Sequence, residues 1–249
     1  MARMLIVPAA GMGTRLGAAL PKLLVPVGGV PMIDRVLALY ADVVEHAVVI
    51  VSPAAQELVR GHLAGTSSRV TTECLTQERP TGMLDAIMFA QASAARRRPS
   101  HVWVTWCDQV AVDPRTVERL AMFTGPHDTA PLVLPTVRSA NPYIHFERDR
   151  SGRIVRVLHR REGDAMPPEG ESDMGLFAMS AAAYLEDLPA YARDVESGRE
   201  TGERNFLPFI PWMAARGEVV TFPAHDPMEA VGINTPAELH AVETYLSRR

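Results

Sequence analysis

The run from Val7 to Met32 reads VPAAGMGTRLGAALPKLLVPVGGVPM, with Gly11 and Gly13 just past an apolar stretch and Arg15 and Lys22 beyond them. Glycines there permit positive φ and let successive backbone N–H groups converge on an anion. Two cations beyond such a loop add charge for a polyphosphate. Ala9, Ala10, Gly11, Met12, Gly13 and Thr14 are therefore candidate phosphate contacts through their amides. The glycines alone fit an ordinary turn at a sheet edge equally well. Neither familiar phosphate motif fits: the dinucleotide fingerprint needs glycine where Leu16 stands and an acid near Val51-Ser52. A Walker loop needs Gly-Lys-Ser/Thr, which is absent.

These residues need a scaffold, and the hydrophobic pattern supplies one. Apolar runs at Met4–Ala9, His46–Ser52, Arg69–Leu75 and His101–Cys107 read as buried strands. Between them, helical spacing is expected over Pro31–Asp42, over Pro53–Leu63 with Pro53 as first residue, and over Met83–Arg98 as one helix. Strands alternating with helices imply a mostly parallel sheet covered on both faces. From Pro131 the texture turns β-rich, with strand-like runs at Ala130–Val137, Tyr143–Asp149, Gly152–Arg160 and Asp173–Ser180, and a hairpin turn at Ser151-Gly152. Helices follow over Ser180–Leu188 and Asn205–Ala215, then a strand over Glu218–Ala224. A last helix over Thr235–Leu246 has Thr235 as N-cap, Pro236 first and Glu238 reaching back. Gly163–Ser172 and Arg193–Arg204 read as mobile loops over a site.

A formal net charge of -4 offers no basic surface for nucleic acid. Two cysteines, Cys74 and Cys107, form neither a disulfide framework nor a zinc pattern, and a reducing compartment fits them. Cys107 reads as a small buried residue, and the eight histidines show no metal-ligand spacing. No run is long enough to cross a membrane, and the short apolar start is a poor signal peptide. The expectation is a cytoplasmic protein with no nucleic-acid or membrane partner.

Taken together, Gly11, Gly13, Thr14, Arg15, Pro21, Lys22, Pro26, Gly29 and Pro31 resemble the signature of the sugar-phosphate nucleotidylyltransferases. The resemblance continues in TQERPTGMLDAI, in VWVTWCDQV and in EAVGINTPAEL. Within the family the chain is most similar to the N-terminal half of the N-acetylglucosamine-1-phosphate uridylyltransferases, whose hexapeptide-repeat domain is expected to be missing. The resemblance implies an α/β fold of the nucleotide-diphospho-sugar transferase type, Rossmann-like, with an inserted β-rich acceptor-binding region. It implies one domain over 1–249, with a nucleotide-binding part at 1–130, an acceptor-binding part at 131–225 and a metal-site segment and helix at 226–249.

The roles it implies are specific. Arg15 and Lys22 are the catalytic cations, while Gln77, Pro80 and Gly82 read the nucleobase. Asp108 and Asn234 hold Mg2+. Tyr143, His159, Arg160 and Asp173 stand where relatives bind the acceptor sugar, but the residue types differ there. The implied partners are a nucleoside triphosphate, UTP or dTTP favoured, and a sugar 1-phosphate, with a homodimer left open. Three alternatives stay open. One is a CTP-dependent cytidylyltransferase acting on a small phospho-alcohol or phosphonate, another a guanylyltransferase of the molybdopterin type. The third is a catalytically inactive nucleotide-binding regulatory module, against which the intact Arg15, Lys22 and Asp108 speak. An Arg160-Arg161 pair in place of an acid suits an acceptor with an extra anionic group, or simply faces solvent.

Overall fold

Six of the seven residues in the first strand, β1 (Arg3–Ala9), are buried, as are all six of β4 (His46–Val51). Strands buried on both faces lose their polar/apolar alternation and read as continuous apolar runs. The computed structural model describes residues 2–9, 16–17, 19–79, 81–125, 128 and 130–249. Between β1 and β4 lie a small hairpin, β2 (Pro26–Val27) and β3 (Val30–Pro31), and helix α1 (Met32–Tyr40). Helix α2 (Pro53–Gly65), strand β5 (Thr71–Thr76), helices α3 (Met83–Met88) and α4 (Gln91–Arg97), strand β6 (His101–Thr105) and helix α5 (Pro114–Met122) follow.

The remaining strands are β7 (Leu132–Ala140), β8 (Ile144–Arg148), β9 (Ile154–His159), β10 (Glu169–Asp173), β11 (Leu176–Ser180) and β12 (Val219–Pro223). Helices α6 (Leu188–Asp194), α7 (Phe209–Ala214) and α8 (Pro236–Leu246) complete the chain. β5, β4, β1 and β6 run parallel, and β11 joins β6 antiparallel. β7 pairs antiparallel with β11 and β10 along one edge and parallel with β12 along the other. The β8–β9 hairpin stands apart from this sheet.

Alternation along the strands divides the core into two layers. Leu5, Val7, Val49 and Trp103 face α1, α5 and α8, where Ile33, Leu37, Tyr40, Leu120 and Val242 are buried. Met4, Ile6, Val48 and Val104 face α3, α4, α6 and α7, where Leu84, Ile87, Ala94, Leu188, Phe209 and Met213 are buried. Each such side chain contributes about 1.5–3 kcal/mol on burial, so the sheet is a stiff floor for whatever stands at its strand ends.

Three expectations change. The single helix over Met83–Arg98 is two: around Phe89-Ala90 the backbone tightens, and Ala90 N–H donates to the Ile87 carbonyl three residues back. Glu169–Asp173 is not loop but strand. Its polar sequence carries no apolar run, and pairing with β7 alone accounts for it. The helix expected from Asn205 begins at Phe209, after a turn that includes Pro208. Among the described residues no helix is long and apolar enough to cross a membrane.

Candidate active site

Parallel register brings the candidate loops to one edge of the sheet. Ala9 lies opposite Val51, which lies opposite Thr76. Ile6 lies opposite Val104, so the residues following β6 emerge beside those following β1. The chain leaves β1 for β4 and β5 on one side, then crosses back to β6 on the other. The crevice outside the carboxyl ends at such a reversal is where open α/β sheets bind ligands. Ala10, Gly11, Met12, Gly13, Thr14, Arg15 and Pro80 lie outside the described residues.

Lys22, Asp108 and Asn234 meet. Lys22 opens a short 3-10 turn, Lys22–Leu24, anchored by buried Leu23 and Leu24. Its ammonium donates to Asp108 Oδ2 and, at 2.9 Å, to Asn234 Oδ1. Only 13% of the Lys22 side chain and 12% of that of Asp108 are exposed, so this pairing is shielded from bulk solvent. One carboxylate and one amide oxygen thus share a single cation. Hard oxygen donors of this kind fit Mg2+. The described residues contain no group of three His, Cys, Asp or Glu able to hold a metal. Cys107 is buried beside Asp108, and burial pushes its thiol up to about 12, which makes it inert.

The loops carrying Asp108 and Asn234 are stitched together, and sequence reasoning missed the stitches. Glu229 is fully buried, and its carboxylate accepts the backbone N–H groups of Asp113 at 2.9 Å and Asp226 at 2.7 Å. Gln109 Nε2 donates to the Ala230 carbonyl at 3.5 Å, and Ile233 N–H to the Asp108 carbonyl at 3.4 Å. Asn234 N–H donates to Glu238 Oε2 at 2.8 Å, within the capping box that starts α8 at Thr235. Asp113 itself caps α5, and hydrogen bonding from Arg115 holds its carboxyl down at about 2. An Asp-x-x-Glu capping pattern at Asp226 was the available signal for Glu229.

The element carrying Gln77 and Gly82 is braced from a distance. Gln77 is buried, with its N–H donating to the Val51 carbonyl at 2.8 Å. Gly82 has φ +127, and a Cβ there would run into the Arg204 backbone. Arg204 N–H donates to the Thr81 carbonyl at 2.9 Å, Leu84 N–H to the Arg204 carbonyl at 3.1 Å, and the Arg204 guanidinium pairs with Asp85. The segment expected as a mobile loop is therefore tied to the element after β5.

The four acceptor candidates separate. Tyr143 and His159 stand edge to face, 5.2 Å between ring centroids. His159 lines a pocket of about 190 Å3 with Glu162, Asp164, Arg199, Asn205 and Leu207. Arg160 instead donates to the carbonyls of Asn141 and Pro142 and to Asn141 Oδ1, fastening the base of the hairpin. Arg161 lies 3.7 Å from Glu203. Asp173 ends β10, where Oδ1 accepts the Gly175 N–H at 2.8 Å, and burial pushes its carboxyl up to about 6. Gly175 there has φ +74 and packs so closely on the Trp106 indole that a Cβ would overlap it.

A mostly parallel α/β sheet, covered by helices on both faces and reversing its strand order at β1/β6, is an architecture that many nucleotide-binding proteins share. The chain belongs to the MobA-like NTP transferase domain family, whose model matches residues 5–199. Curated relatives include the bifunctional protein GlmU of Pseudomonas putida (strain GB-1), 28% identical over 98% of this chain and 52% of the relative. GlmU of Kineococcus radiotolerans is 31% identical over 98% of this chain and 49% of the relative. The chain thus spans about half the length of these relatives. Among solved structures, one from Bacillus anthracis assigned as a glucose-1-phosphate thymidylyltransferase superposes with a TM-score of 0.73. It covers 99% of this chain and 96% of its own, at 16% identity, a likeness of fold.

Proposed function

We propose that the chain transfers a nucleoside monophosphate from a triphosphate, UTP or dTTP in preference, to a sugar 1-phosphate, releasing pyrophosphate. The observation that carries this reading is the convergence of Lys22, Asp108 and Asn234 at the sheet's ligand edge. An acceptor phosphate oxygen attacks the α-phosphorus in line. The bond from that phosphorus to the bridging oxygen breaks, and pyrophosphate takes the electron pair. Little covalent chemistry falls to the protein in such a transfer, so positioning and charge neutralisation dominate.

Lys22, held between Asp108 and Asn234, is positioned to neutralise charge developing on the α-phosphate. Arg15 and the amides of Gly11–Thr14 are assigned the β- and γ-phosphates, and Ala9 and Ala10 are assigned to the nucleotide. Gln77, Pro80 and Gly82 are assigned the base, and Tyr143 and His159 the acceptor. Mg2+ on Asp108 and Asn234 would supply further neutralisation of phosphate oxygens. Residues 1–130 are assigned to the nucleotide, 131–225 to the acceptor and 226–249 to completing the metal site. The cytoplasm suits the two free cysteines.

A pyrophosphate-release screen crossing four triphosphates with sugar 1-phosphates and phospho-alcohols tests this. Release with UTP or dTTP and a sugar 1-phosphate, abolished by EDTA, is expected. No release from any pair, or undiminished release in excess EDTA, overturns it.

A further inference from the structure

Lys22 is the single lysine of the chain, and every other member of its 25 lysines and arginines is arginine. The exception stands where the difference matters. A guanidinium is a planar fork that grips a carboxylate through two parallel bonds, whereas an ammonium is a compact point charge on a flexible stem. The Lys22 ammonium donates to Asp108 Oδ2 and, at 2.9 Å, to Asn234 Oδ1, the same two oxygens whose chemistry fits Mg2+. It sits where a small cation between hard oxygens would sit.

The oxygens are fixed and the ammonium is tethered. Asn234 Nδ2 donates to the Gly232 carbonyl at 3.2 Å, which turns Oδ1 toward Lys22. A Cβ at Gly232 would stand 3.1 Å from Asp108 Oδ2, so the bare backbone there leaves the carboxylate its room. Buried Leu23 and Leu24 anchor the turn that carries Lys22, and the flexible lysine stem separates that anchor from the charge. A metal ion about 2.1 Å from Asn234 Oδ1 lies no more than about 5 Å from an ammonium left in place. The Lys22 and Asp108 side chains are only 13% and 12% exposed, so little water screens that repulsion.

We infer that the Lys22 ammonium and a divalent cation are alternative occupants of the Asp108–Asn234 oxygen pair, and that loading the metal swings the ammonium off those oxygens toward the phosphates. The ammonium's destination rests on the nucleotidyltransfer reading; the exchange itself does not. Without metal, the ammonium neutralises a shielded carboxylate. With metal, it becomes a free cation beside the triphosphate, so metal and triphosphate each favour binding of the other through Lys22. Arginine in its place would stay forked on Asp108. If the ammonium leaves the oxygens free about a tenth of the time or less, the parent binds metal about tenfold or more weakly than a chain lacking it.

Because Lys22 is the single lysine, 15N-lysine labelling gives one ammonium signal from the intact protein. Without metal that signal should be protected from exchange with water. Mg2+, at concentrations that displace bound Mn2+, should move it to the position of a solvated ammonium, and EDTA should restore it. An unprotected signal without metal, or one that Mg2+ leaves in place, overturns the inference. Mn2+ titration followed by electron paramagnetic resonance, with no nucleotide present, should show Lys22→Met binding about tenfold or more tightly than the parent. The gain should persist at about 0.5 M salt, where long-range charge effects are screened, and vanish when Asp108→Asn is added to Lys22→Met. Equal or weaker binding by Lys22→Met, a gain lost in salt, or a gain independent of Asp108 overturns the inference. Exchange at Lys22 without pyrophosphate release from any triphosphate defeats the nucleotidyltransfer reading and leaves the exchange standing. Release with an ammonium that Mg2+ never moves does the reverse.

Discussion

The Lys22 cluster and the His159 pocket are built by different means. Lys22, Asp108 and Asn234 stand at the end of a parallel sheet whose register sets their positions, and buried Glu229 ties two of their loops together. The His159 pocket is assembled from a hairpin strand, the turn after it and the irregular segment Val195–Pro208, joined near the surface by hydrogen bonds from Arg199, Glu200 and Thr201 to Glu162 and by the Asn205–His159 contact. The first arrangement tolerates little displacement, which suits a reaction decided by charge placement. The second can change residue by residue without disturbing the sheet, which suits the acceptor role proposed for it.

The contrast is most severely tested at Lys22. Lys22→Ala should cut turnover by roughly 100-fold or more while the thermal midpoint moves by only a few degrees. Near-normal pyrophosphate release from a folded variant takes Lys22 out of the chemistry. Glu229→Ala should show the opposite signature. One buried and one part-buried N–H lose their acceptor, at about 1–3 kcal/mol for the buried one and less for the other, so stability should fall by about 2–4 kcal/mol in a denaturant titration. A loss below about 1 kcal/mol means that water or relaxation replaces the brace. Asp108→Asn should raise the Mg2+ concentration for half-maximal rate by roughly tenfold, and an unchanged requirement moves the metal elsewhere.

The smallest effect concerns Asp173, on the acceptor side. Its folded-state pKa of about 6 stands above the ~3.9 of an unfolded chain. The penalty for ionising it is absent below about pH 4, grows between the two values and is complete above them. Asp173→Asn keeps an oxygen for the Gly175 N–H and should gain on the order of 1–2 kcal/mol at pH 8 and nothing at pH 4. Equal midpoints for variant and parent at both pH values rule out a penalty for ionising Asp173.

The contrast also explains what the sequence disclosed. Apolar runs placed β1, β4, β5 and β6, and Asp108 follows within three residues of the carboxyl end of the last of them. Thr235, Pro236 and Glu238 announced the start of α8 through local chemistry. The contact between Asn205 and His159 could not be found this way, because the two residues lie 46 positions apart. β10 was hidden for a similar reason: pairing with β7, not its own residues, makes it a strand. Arg160 was legible as a charge, but its engagement by Asn141 was not.

The close approach of Gly175 to Trp106 bears on how this protein can vary. Any side chain at 175 needs the volume that the indole occupies, and the left-handed backbone there strains every residue but glycine. The pair is therefore epistatic. A substitution at 175 is tolerated only if position 106 has already become smaller, whereas shrinking Trp106 first leaves a void. The accessible order of mutation runs through the void, at the several kcal/mol that losing a large aromatic side chain costs. Libraries that diversify this strand junction should vary 106 and 175 jointly, since single-site scans will report both positions as immutable.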